Sequence, residues 1–207
     1  GRENVFICGH HEGMFAEYAD LRGLGSACMD LFDHPSMVRE AFLIMMENAK
    51  KWGRLQVEAG AECMSIGDAV CSQIGPELYD EFIFTIHREL TDYYHSLGVL
   101  VKIHICGDIS NILPSLIKSG ADIIDVDHMV MDISQFVPLL GGKQVFCGNL
   151  DPVSILQNGT PDTVYHKARE WIIDTGGKGI ISGGCELTPD TPDENIFALY
   201  DACRKPS

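Results

Sequence analysis

The sequence is short of positive charge. Lys and Arg number 15 against 30 Asp and Glu, leaving a formal charge of −15 at pH 7 over 207 residues. No basic cluster exceeds two adjacent residues. That balance argues against nucleic acid or an anionic membrane surface as a partner. Long apolar runs are also missing, and none approaches the roughly 20 residues that cross a bilayer. There is no GxGxxG, no P-loop and no GxSxG, so dinucleotide, nucleotide and serine-hydrolase chemistry have no support. The eight cysteines (Cys8, Cys28, Cys63, Cys71, Cys106, Cys147, Cys185 and Cys203) form no CxxC pair and no dense framework. In a chain this long they read as reduced thiols in a cytoplasmic setting, not as a disulfide scaffold.

What is present is alternation. Six short apolar runs read as strands: Val5–Cys8, Glu62–Ile66, Val99–Ile105, Asp122–Val126, Gln144–Cys147 and Lys178–Ser182. Helical patterns separate them. Pro35 precedes Val38, Phe42, Met45, Ala49 and Trp52 at three-to-four spacing, and Pro76 precedes Leu78, Phe82, Ile86, Leu90 and Tyr93. Thr160-Pro161 opens a third helix, and Thr191-Pro192-Asp193-Glu194 has the form of a capping box. Met29, Met45, Met46 and Met64 read as core filler. Such βα repetition with no linker or low-complexity stretch implies one domain over residues 1–207 built on a parallel sheet. The expected fold is α/β, of the (β/α)8 TIM-barrel type. An intact barrel takes about 250 residues, and six modules are visible. Gly1-Arg2-Glu3-Asn4 also lacks an initiator Met, so N-terminal truncation is expected.

The chemistry-bearing feature is His104-Ile105-Cys106-Gly107, answered by Gly183-Gly184-Cys185-Glu186. Residues two apart on a strand project to the same side, so His104 and Cys106 share a face. Both tetrads end apolar runs, and strand ends of one parallel sheet converge on one rim. One imidazole and two thiolates form a soft ligand set suited to zinc, and three ligands leave a position open. Cys147, at another strand end, is an alternative ligand. Asp68, Asp127, Asn149 and Glu186 also finish strands, where barrel enzymes place their sites. They are candidates for substrate binding or an exchangeable fourth ligand, though each equally suits a helix cap. Asp125, His10, His11 and His128 are further rim positions.

These motifs carry a resemblance. Gly60-Ala61-Glu62, the run Gly75 to Phe82, His104 to Gly107, Gly148 to Val153 and Cys185 to Ile196 together resemble the uroporphyrinogen decarboxylase-like superfamily. Within it they are most similar to the cobamide-dependent branch of methylcobamide:coenzyme M methyltransferases. The resemblance implies a TIM barrel in which His104, Cys106 and Cys185 are the catalytic zinc ligands. It further implies a methyl-corrinoid carried by a separate corrinoid protein and a small thiol substrate whose thiolate exchanges the methyl group. Two alternatives stay open: transfer from a methylated amine or ether to the corrinoid, and a metal-free decarboxylase-like lyase.

Overall fold

The computed structural model describes residues 5–204; Gly1 to Asn4 lie outside the described residues. Six strands form one sheet in strict chain order, every neighbouring pair parallel: β1 (Cys8–Glu12), β2 (Cys63–Gly67), β3 (Leu100–Ile105), β4 (Ile123–Val126), β5 (Val145–Leu150) and β6 (Ile180–Gly183). Helices α1 (Met14–Arg22), α2 (Leu24–Asp33) and α3 (Pro35–Glu58) follow β1. A short α4 (Pro76–Leu78) runs through a π-helical turn, Tyr79–Ile83, into α5 (Phe84–Ser96). The remaining helices are α6 (Leu113–Lys118), α7 (Pro161–Asp174) and α8 (Asp193–Arg204). No helix among the described residues is long and apolar enough to cross a membrane.

The two faces of the sheet differ in chemistry. Met64, Ile66, Val101, Ile103, Ile105, Ile124, Val126 and Phe146 alternate along the strands and pack into the main core with the helices. The intervening residues face inward. His10 and Glu12 from β1, Ser65 from β2, Lys102 and His104 from β3, Asp125 from β4 and Ser182 from β6 all line one cavity. Strands at opposite ends of the order can share a cavity only if the sheet is curled. Parallel sense, sequential order and curl are those of a TIM-type barrel represented by six βα units.

Two expectations about strands need correction. The first strand is Cys8–Glu12, not Val5–Cys8; Val5 and Phe6 precede it and are exposed. Ile7 still hooks onto the sheet, its carbonyl accepting from Glu62 and Cys63. The run CGHHE was passed over because its inward face is polar. The fifth strand continues past Cys147 to Leu150, since Asn149 pairs with Ser182 and Leu150 with Gly183.

Helix faces are also shifted in places. α3 buries Val38, Phe42, Met46, Ala49 and Gly53, while Trp52 and Met29 point to solvent. On α5 it is Tyr94, not Tyr93, that is fully buried, its hydroxyl donating to the Ala49 carbonyl and paired with His11 Nε2. α8 begins at Asp193, and the Thr191 hydroxyl meets that of Thr188 at 3.0 Å. The buried Asn195 amide ties α8 down by donating to the carbonyls of Leu156 and Gly159. α1 and α2, which the sequence pattern did not reveal, are joined by an ion pair: Arg22 Nε donates to Asp30 Oδ2 at 2.7 Å and Tyr18 adds its hydroxyl at 2.8 Å.

Two stability predictions follow from these contacts. Gly53 lies where α3 meets Tyr94, and an added Cβ would run into the tyrosine hydroxyl. Gly53→Ala should therefore destabilise by about 1–3 kcal/mol despite the better helix propensity of alanine, measured by denaturant unfolding. The Arg22 guanidinium and the Tyr18 hydroxyl hold the Asp30 carboxyl below its usual range. The stability from that depressed value is complete above the ordinary Asp range, near pH 4, and is lost as pH falls through the lowered value. Asp30→Asn should flatten that acid limb in a series of thermal melts.

Candidate functional site

β3 ends at Ile105, so His104 points inward from its last turn of pleat and Cys106 follows on the same side. His104 Nε2 lies 3.1 Å from Cys106 Sγ, and Cys106 Sγ lies 3.5 Å from Cys185 Sγ. Seventy-nine residues separate the two cysteines; parallel pairing from β3 to β6 brings them together. All three ligand atoms lie within 4.8 Å of one another and all three residues are half-buried. They open onto the inward cavity, of about 480 Å³, with Glu186 on its wall.

The electrostatics bind the trio into one unit. Burial works against a charge on His104, but hydrogen bonding to Asp125 and to Cys106 outweighs it and pushes the imidazole up to about 11. The hydrogen bond from His104 in turn lowers the Cys106 thiol, while burial raises that of Cys185. Cys147 is buried on the inner face with Cys63 and Ile123, and burial pushes its thiol up to about 12. It is not one of the residues that group with His104.

Of the four acid and amide residues read as substrate-binding, Glu186 alone lines this cavity. Asp68 is fully buried; Oδ1 accepts from Ala16 N at 2.8 Å and Oδ2 meets His87 Nε2 at 3.1 Å. Tyr79 closes that chain on His87 Nδ1 at 2.9 Å. Asp68, Cys71 and His87 form the second soft cluster among the described residues, wholly buried and committed to those bonds. Asp127 caps two amides, accepting from Gly107 N on Oδ2 at 2.8 Å and from Met129 N on Oδ1 at 3.1 Å. Asn149 donates to the Val130 carbonyl and lines a separate cavity of about 350 Å³ beside α7, together with His128. His10 faces the main cavity, whereas His11 turns outward to Tyr94. Glu12, Ser65, Lys102 and Ser182 were missed as wall residues; period-2 projection from His104 would have reached Lys102.

The loops that carry the thiols are fixed from one turn. Asp127 grips Gly107, next to Cys106, and Gly184 packs so closely that a Cβ there would strike the backbone of His128.

A curled parallel α/β sheet with its functional side chains at the C-terminal strand ends defines a barrel of the TIM class. Within that class the chain belongs to the uroporphyrinogen decarboxylase (URO-D) family, which matches residues 2–206. Similar proteins include a methylated-thiol–coenzyme M methyltransferase of Methanosarcina mazei, 34% identical over 74% of this chain and 41% of that protein. A methylcobamide:CoM methyltransferase of Methanosarcina acetivorans is 32% identical over 74% of this chain and 44% of its own length. The solved structure of a methyltransferase from Methanosarcina mazei superposes with a TM-score of 0.88 at 25% identity, covering 97% of this chain and 58% of that one. The chain thus spans about half the length of the relatives it matches.

Removing the Asp127 clamp should loosen the Cys106 loop specifically. Asp127→Ala is expected to cost about 1–2 kcal/mol, for two charge-assisted hydrogen bonds to half-buried amides. It should also speed hydrogen exchange at Gly107 and Met129 while leaving α7 and α8 unchanged.

Proposed function

We propose that this chain serves a zinc-dependent methyltransferase, acting between a corrinoid carried on a partner protein and a small thiol such as coenzyme M, in a cytoplasmic setting. The observation that carries the reading is the clustering of one imidazole and two thiols at 3.1 and 3.5 Å on the wall of an open cavity. A tetrahedral zinc with sulfur at about 2.3 Å and nitrogen at about 2.0 Å places its donors about 3.5–3.8 Å apart. The observed separations lie within about half an ångström of that edge, so the donor set fits with slight side-chain movement. The names of the methyltransferase relatives support the same reading.

His104, Cys106 and Cys185 would hold the ion. When bound, zinc supplies the Lewis acidity that keeps a small thiol deprotonated near neutral pH. Three protein donors would leave room for a small thiol, and two thiolates would offset the charge of the ion so that the thiol keeps its nucleophilicity. Glu186 lines the same cavity. Asp127 serves it through the Cys106 loop that it fixes. A metal-free lyase would have no use for three converging soft donors.

Metal analysis with X-ray absorption at the zinc edge tests the reading. About one zinc per chain is expected, in a shell of two sulfurs and one nitrogen, with a further sulfur on adding coenzyme M. Cys106→Ala and Cys185→Ala should each weaken zinc at least about 100-fold. A protein that retains no metal would overturn the proposal, and a metal shell unchanged by thiols would overturn the thiol-acceptor form of it.

A further inference from the structure

Register places Asp125 of β4 directly beside His104 of β3. The imidazole is held there twice: Nδ1 donates to the Asp125 main-chain oxygen at 3.2 Å and has the carboxylate Oδ2 at 3.6 Å. Nε2 is left facing Cys106 Sγ. The carboxylate is itself gripped by Lys102, whose Nζ donates to Oδ2 at 2.8 Å. Lys102 stands two residues before His104 on the same strand and therefore on the same face. The side chain is only 9% exposed, and the Cys147 thiol of β5, paired in register with Asp125, is its neighbour on the other side.

We propose that Asp125 is a positioning residue for His104. Its main-chain oxygen and its carboxylate together fix the imidazole with the proton on Nδ1 and present the Nε2 lone pair to the ion, while Lys102 locates the carboxylate. This rests on reading the trio as metal ligands. An anionic neighbour on Nδ1–H strengthens the donor nitrogen, and loss of such a partner typically costs about 10–100-fold in metal affinity. Lys102 opposes that effect by offsetting the carboxylate charge, so the two members of the ion pair act on His104 in opposite senses.

The probe is Co(II), titrated into the full chain against a chromophoric chelator, with the thiolate-to-cobalt charge-transfer band as the signature of the site. If wild type shows no such band, or Cys106→Ala keeps it, the ligand assignment itself fails. Given a wild-type site that Cys106→Ala destroys, Asp125→Asn should weaken Co(II) about 10-fold or more. That variant keeps the size and the main-chain acceptor and removes only the charge. Lys102→Met should bind as tightly as wild type or tighter. Wild-type affinity in Asp125→Asn overturns the proposal. So does equal weakening in both variants, which would mark a merely structural ion pair. Should Asp125→Asn fail to fold, the ¹⁵N spectrum of His104 in zinc-loaded wild type decides. A proton on Nδ1 supports the assignment, and a proton on Nε2 overturns it.

Discussion

In-register parallel pairing, carried unbroken from β1 to β6, is the constraint on which the rest of the molecule depends. Each strand enters from the same end, so each inward residue near a strand end arrives at the same rim. That is why Cys185 can stand beside Cys106 although β4, β5 and their connections intervene in the chain. The same register sets Gly67 against His104 and His104 against Asp125. A slip of one residue in any pair would turn the polar inner set toward the helices and the isoleucines toward the cavity. The buried isoleucine and valine face resists such a slip, so the apolar core outside the sheet is what holds the polar site inside it.

Much of this was legible in the sequence, and the failures share a cause. Strands whose helix-facing positions are all branched and apolar, such as β4 with Ile124 and Val126, announce themselves even with Asp125 on the inner side. β1 does not, because His10 and Glu12 face a polar cavity and its outward positions are Gly9 and His11. α1 was hidden for a related reason: Met14, Phe15, Ala16, Tyr18 and Ala19 are all buried, so no single apolar stripe marks it. The His104–Cys106 pair could be read from one strand's periodicity. Lys102 and Asp125 could not be joined on paper, since their contact depends on the register between two strands. Asp68 and Asp127 were seen as strand-end carboxylates of uncertain purpose, and only tertiary contacts show them spent on amides and on His87.

The scarcity of positive charge has a local counterpart. The main cavity gathers Glu12, Asp125 and Glu186 with two thiols, and Lys102, tied to Asp125, is its one lysine. Such a wall draws a cation. Burial opposes a charge on His104, but hydrogen bonds to Asp125 and Cys106 raise the imidazole to about 11, and the same bond lowers the Cys106 thiol.

The spacing of the two thiols is set by a loop that bears neither of them. Asp127 binds the amide of Gly107 on one side, and on the other Gly184 rests against the backbone of His128 while donating its amide to the Leu150 carbonyl. The turn after β4 is thus a spacer wedged between the loop after β3 and the loop after β6. Cys106 and Cys185 sit one residue from their respective contacts with it, so their main chains are held at a set separation and only the side chains adjust. A donor pair held in this way favours one coordination size, because widening it would require breaking the Asp127 bond or lifting Gly184 from the turn.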